Sequence, residues 1–215
     1  MKIEDPHLDS RLVEAGTALE DASAVVIMLH GRGDSPEGIL SLAPAIDPGG
    51  VGFVAPAAVS NVWYPQSFMA PLDANQPWLD SALSRVGALI GHLIEIGIDK
   101  ERVMLLGFSQ GACLALETAA RRADRFGAVV GLSGGLIGPE LETARYDGDF
   151  RGTPIFIGCS DIDPHIPLKR VQGSAVLLRN LQADVDERIY PGMGHIVNVD
   201  EIEAVGALLT TIAAS

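Results

Sequence analysis

Cysteine is nearly absent from this chain: two residues, Cys113 and Cys159, in 215. Two thiols in a chain of this size build no disulfide framework and match no metal-binding spacing. They fit a reducing cytoplasm and a buried apolar role. Basic residues are also scarce, 15 Lys and Arg against 28 Asp and Glu, for a net charge of −13. A surface of that sign repels phosphate backbones and anionic lipid heads, so nucleic acid and anionic membranes are not expected partners. No apolar run approaches the roughly 18 residues that span a bilayer, so no integral membrane association is expected. The opening residues, MKIEDPHLDS, contain no apolar stretch of the kind that marks a secretory signal. Repeats and low-complexity segments are lacking too.

What is present is a chain with 47% hydrophobic residues and no break in composition. That excludes disorder and predicts one domain over residues 1–215 with a substantial core. Short apolar runs recur at 24–29, 51–54, 102–108, 128–132, 154–157 and, more alternating, 185–190. Runs that are apolar throughout predict strands buried on both faces, as in a parallel sheet. Helical periodicity fills the gaps. Leu79, Leu83, Val86, Ile90 and Leu93 share one helix face, and Gly97 is placed to end that helix. Further helices are predicted over 112–122, 168–181 and 201–212. Strand and helix in alternation predict an α/β domain. Two stretches lack a period: 61–76 reads as a long loop, and 136–152 as a polar, Gly-rich rim.

The strongest motif is Gly107-Phe108-Ser109-Gln110-Gly111. It has the form G-x-S-x-G between a predicted strand and a predicted helix, the context in which a serine is lifted above a sheet on a strained turn. The helix that follows offers its N-terminal amides to negative charge. A serine hydroxyl needs a base, and the base an orienting acid. His195, in the Gly-rich loop after the last strand, is the favoured base. His7, His30 and His92 precede the serine, and His165 leaves little chain for an acid. The acid is expected in Gly158-Cys159-Ser160-Asp161-Ile162-Asp163-Pro164, where spacing alone does not choose between Asp161 and Asp163.

Four segments in order, Leu29-His30-Gly31-Arg32-Gly33-Asp34, the serine motif, Asp163-Pro164-His165-Ile166-Pro167 and Gly192-Met193-Gly194-His195, resemble the phospholipase/carboxylesterase family of α/β-hydrolases. That family includes acyl-protein thioesterases, and the resemblance covers nearly the whole chain. It implies a mostly parallel central sheet flanked by helices with no large cap domain, and no cofactor or metal. It puts the nucleophile on Ser109, the acid on Asp163 and the base on His195. It also implies an oxyanion hole from the main-chain N–H groups of Arg32 and Gln110. An amide donor leaves the Arg32 side chain free, to face solvent or to reach an anionic part of a substrate. Asp34 is expected to brace this loop.

Within Arg32-Gly33-Asp34-Ser35 the letters of a cell-adhesion tetrapeptide are then a coincidence. The segment after the second strand looks closer to bacterial esterases than to thioesterases proper. Its aromatics Trp63, Tyr64 and Phe68 are candidates to line an acyl or aryl pocket, with packing of the loop as the alternative. The expected substrate is a small-molecule ester. A dienelactone-hydrolase-like lactonase is the competing enzyme, though such enzymes typically carry Cys where Ser109 stands. A non-catalytic binding protein on the same scaffold is a third reading. Exposed apolar loops near the site are compatible with a homodimer.

Overall fold

The computed structural model describes residues 5–215. A seven-stranded sheet is built from β1 (Leu12–Gly16), β2 (Ala24–Leu29), β3 (Val51–Pro56), β4 (Val103–Phe108), β5 (Ala128–Leu132), β6 (Pro154–Ser160) and β7 (Asp184–Tyr190). Their order across the sheet is β1-β3-β2-β4-β5-β6-β7. All neighbours run parallel except β1, which pairs antiparallel with β3. Together with the flanking helices this is the α/β-hydrolase fold. No segment among the described residues forms a large cap over the sheet.

The apolar runs became the central strands for the reason that selects them. In β2, Val25, Ile27 and Leu29 join one core, while Ala24, Val26 and Met28 join the other. Side chains alternate along a strand, so burial on both faces needs an apolar residue at every position. The helices α3 (Trp78–Glu95), α4 (Gln110–Arg121) and α5 (Leu168–Asn180) cover the first face. Two short helices, α1 (Pro36–Leu40) and α2 (Ala43–Ile46), cover the second together with α6 (Val199–Ala213). Both cysteines are free and buried. No helix among the described residues is long and apolar enough to cross a membrane.

Three features depart from expectation. The strand β1 is almost wholly exposed, so its sequence carries no apolar run to find. Helices α1 and α2, of five and four residues, are too short to show a period. The stretch 136–152 is exposed over most of its length, as its polarity predicts, but Leu136, Ile137, Tyr146 and Phe150 anchor it in the core. It is held from below by two charged side chains. Glu117 Oε2 accepts from Ile137 N–H and Tyr146 O–H, and Arg170 donates to the carbonyls of Leu136, Gly138 and Pro139.

Candidate active site

The first site element is the junction of β4 and α4. Ser109 has φ 55° and ψ −118°, a conformation that costs an L-residue free energy and persists only where its surroundings fix it. Two glycines fix it. A methyl group on Gly107 would fall 2.2 Å from the Gly111 carbonyl, and one on Gly111 would fall 2.0 Å from Leu29 O. Only hydrogen fits at either place, so α4 starts directly against the ends of β4 and β2. The strained serine is thereby lifted at the C-terminal edge of the sheet.

The loops after β6 and β7 meet it there. His195 Nε2 lies 2.8 Å from Ser109 Oγ, and His195 Nδ1 lies 2.7 Å from Asp163 Oδ2. The hydrogen bonds assign the tautomer: Nδ1–H donates to the carboxylate, and Nε2 is free to accept the serine proton. Asp163 Oδ1 also accepts from the N–H groups of His165 and Ile166, at 2.8 and 3.0 Å. Burial pushes this carboxyl up, but the bonds from His195 and the two amides outweigh it and hold it below the ordinary 3.8. A buried, ionised carboxylate aimed at an imidazole stabilises the imidazolium that forms when the serine gives up its proton. Asp161 does something else. Its Oδ1 accepts from Gly192 N–H at 2.7 Å, while Ser160 Oγ accepts from Gly194 N–H at 3.1 Å. These two residues pin the loop that carries His195.

Beside Ser109 lies a cavity of about 500 Å³ lined by Arg32, Gln110, Tyr64, Phe68, His165 and His195 among others. Gln110 opens α4, so its N–H has no acceptor within the helix. The Arg32 N–H likewise has no main-chain acceptor among the described residues. Both remain available to an oxyanion. The side chains of the same two residues have a task that sequence reasoning missed. Arg32 is not free: Nη2 donates to Tyr64 O and Gln66 O at 2.8 and 2.7 Å, and Nη1 to Pro65 O at 3.1 Å. Gln110 Oε1 accepts from Trp63 N–H at 3.0 Å, and its Nε2 donates to Tyr64 O at 2.8 Å. Replacing Arg32 therefore disturbs a cavity wall as well as a side chain. The motif spells these residues, but their partners lie more than thirty positions away, beyond the reach of any local pattern.

The three aromatics separate. Tyr64 and Phe68 line the cavity, and Trp63 does not. Trp63 is fully buried between two histidines, and its Nε1–H donates to His30 O at 2.9 Å. The expectation that it touches substrate gives way to packing, because its indole fills the space under the loop. The histidines around it are structural. His30 Nε2 accepts from Ala58 N–H, and its Nδ1 side bonds Gly31 O. His7 Nδ1 accepts from Val59 N–H, and its Nε2 side bonds Trp63 O. Burial pushes both imidazoles below their ordinary 6.5, in keeping with neutral acceptors. The brace near Asp34 comes from Ser35, whose Oγ caps α1 by accepting from Gly38 N–H.

A strained serine, a histidine and a buried carboxylate in a hydrogen-bonded row define, on this sheet, a hydrolase-type site of the α/β-hydrolase class. Residues 12–213 match the phospholipase/carboxylesterase family model, and the chain belongs to that family. It is similar to a phospholipase/carboxylesterase from Dyadobacter fermentans, with 42% identity, 95% of this chain and 96% of that one covered, and a TM-score of 0.90. It is similar also to acyl-protein thioesterase 1 of Saccharomyces cerevisiae, 28% identical with 89% and 93% covered. The similarity to acyl-protein thioesterase 1 of Gibberella zeae is 35% over 123 residues, 56% of this chain and about half (52%) of that one.

Proposed function

We propose that the chain works as one domain and is a serine carboxylesterase, cleaving esters or thioesters of small carboxylic acids through an acyl-enzyme on Ser109. The observation that carries this reading is the hydrogen-bonded row from Ser109 Oγ through His195 to Asp163, at 2.8 and 2.7 Å. In the reaction Ser109 Oγ bonds to the carbonyl carbon while His195 Nε2 takes the hydroxyl proton. The N–H groups of Arg32 and Gln110 stabilise the oxygen that becomes negative. His195 then gives its proton to the departing alcohol or thiol oxygen or sulfur as the acyl bond breaks. Water, activated by the same imidazole, releases the acid and returns the serine. Tyr64 and Phe68 contact the acyl part in this scheme. The compartment on this reading is a reducing cytoplasm, which two free buried thiols suit.

The test is Ser109→Ala assayed on p-nitrophenyl butyrate, together with labelling by a fluorophosphonate. Hydrolysis should fall by about 1,000-fold or more, and labelling should vanish. Turnover at the wild-type rate in the variant would end this reading.

A further inference from the structure

Arg32 holds a charge that the catalytic scheme does not use. Its guanidinium is fixed by three main-chain carbonyls, which are neutral acceptors and leave its charge uncancelled. Among the described residues no carboxylate lies within ion-pair distance of it. Its Nε–H and one Nη1–H donate to no protein acceptor there. Asp34 also lines the cavity, but its carboxylate leans against the first turn of α1: a methyl group on Gly38 would fall 1.9 Å from Asp34 Oδ1. The cavity therefore contains an immobilised cation with donors to spare, in a chain whose net charge is −13. A guanidinium held in place loses little further freedom on binding, and its fork matches a carboxylate.

Which part of a substrate meets it follows from how the two ends of the cavity are assigned. The leaving atom must lie at His195 Nε2, which returns the proton. His195 and His165, whose rings meet edge-on with centroids 4.8 Å apart, line one part of the cavity, and the leaving group is assigned to that part. Arg32 is bonded to the lining at residues 64–66 and so falls in the other part, which is assigned to the acyl chain. A cavity of about 500 Å³ has room for a short acyl group together with its leaving group.

We propose that Arg32 is a specificity-determining residue that binds a carboxylate at the far end of the acyl group. The preferred substrates are then half-esters of short dicarboxylic acids. This rests on the serine-esterase reading above. The half-ester and water give the dicarboxylate and an alcohol. Ser109 Oγ replaces the alkoxide on carbon, His195 carries the proton to that alkoxide, and water oxygen then replaces Ser109 Oγ.

The experiment compares p-nitrophenyl hemiglutarate with p-nitrophenyl pentanoate, which has a methyl group where the other has a carboxylate. Wild type, Arg32→Met and Arg32→Lys are assayed above the spontaneous rates. In wild type kcat/KM should favour the half-ester by about tenfold, the ratio that one charge-assisted hydrogen bond at an open site sustains, carried mainly by KM. Arg32→Met should abolish the preference and Arg32→Lys restore most of it. Equal losses on both substrates would mean that Arg32 only supports the wall, and would overturn the proposal. So would hydrolysis of the pentanoate alone, or a preference that survives in Arg32→Met. Hydrolysis of neither ester overturns the esterase reading and this proposal with it. Should Arg32→Met not fold, wild type decides: glutarate should inhibit pentanoate hydrolysis about tenfold more strongly than glutaramide, and salt should weaken it. Equal inhibition by the two would overturn the proposal.

Discussion

On one side of Ser109 the segment 58–68 hangs from side chains belonging to other parts of the chain, most of them long or ring-shaped. Arg32, Gln110 and Asn75 reach its main-chain groups, and His7 and His30 accept from its amides. On the other side the loops 160–166 and 191–198 hold one another through short groups. Asp161, Ser160 and Asp163 take backbone N–H groups, and the capping box of Asn198 and Glu201 anchors the exit into α6. Short acids and hydroxyls allow little movement, which a proton relay with 2.7 and 2.8 Å contacts requires. In the proposed function the first wall chooses the substrate and the second moves the proton.

The sharpest way to break this contrast is inside the second wall, where two aspartates stand two residues apart. Asp163→Asn should lower kcat by about 10,000-fold, because the amide cannot hold the required tautomer of His195. Asp161→Asn should cost only about tenfold, since it loosens the loop without touching the relay. Equal losses in kcat would erase the distinction between relay and brace. Gln110→Ala probes the first wall. It keeps the Gln110 N–H but leaves the buried Trp63 N–H without an acceptor. Unfolding free energy should fall by about 2 kcal/mol in a urea titration. KM should rise more than kcat falls.

The smallest effect separates the walls by pH. His7 and His30 are held below their ordinary 6.5, so the unfolded chain binds more protons than the folded one as pH falls below 6.5. The stability that they contribute above that pH is lost on the acid side. Glu201 behaves in the opposite sense. Burial pushes it up to about 7, outweighing its bond from Asn198 N–H, and its Oε1 has no partner. A raised carboxyl contributes stability below its unfolded value of 4.5, and this is lost as pH rises through about 7. Glu201→Gln should therefore raise unfolding free energy by about 1 kcal/mol at pH 8 and leave it unchanged at pH 4. A gain of the same size at both pH values would refute this account of Glu201.

Much of this molecule can be read from its letters, and the exceptions share a cause. The strands β2, β4, β5 and β6 declare themselves because burial on both faces forbids polar residues. The serine motif declares itself because Gly107 and Gly111 admit nothing but hydrogen. The strand β1 stays hidden because an exposed edge tolerates Glu14 as readily as Leu12. The candidate acid needed the family pattern, since Asp161 and Asp163 look alike until one meets an imidazole and the other an amide. The grip of Arg32 on residues 64–66 was invisible, because nothing local marks an arginine for three carbonyls across the cavity.

The stitching of segment 58–68 has a consequence for how such an enzyme could change. Its attachments run to His7, to the turn after β2, to α4, to Asn75 and to Gly138, and among the described residues none of these hydrogen bonds reaches the loops that carry Asp163 and His195. The segment is in effect a cassette. A new sequence that keeps the Asn61 carbonyl on Gly33 and the Ala58, Trp63 and Tyr64 main-chain anchors could be grafted between the same ends, and the proposed chemistry would meet a different acid.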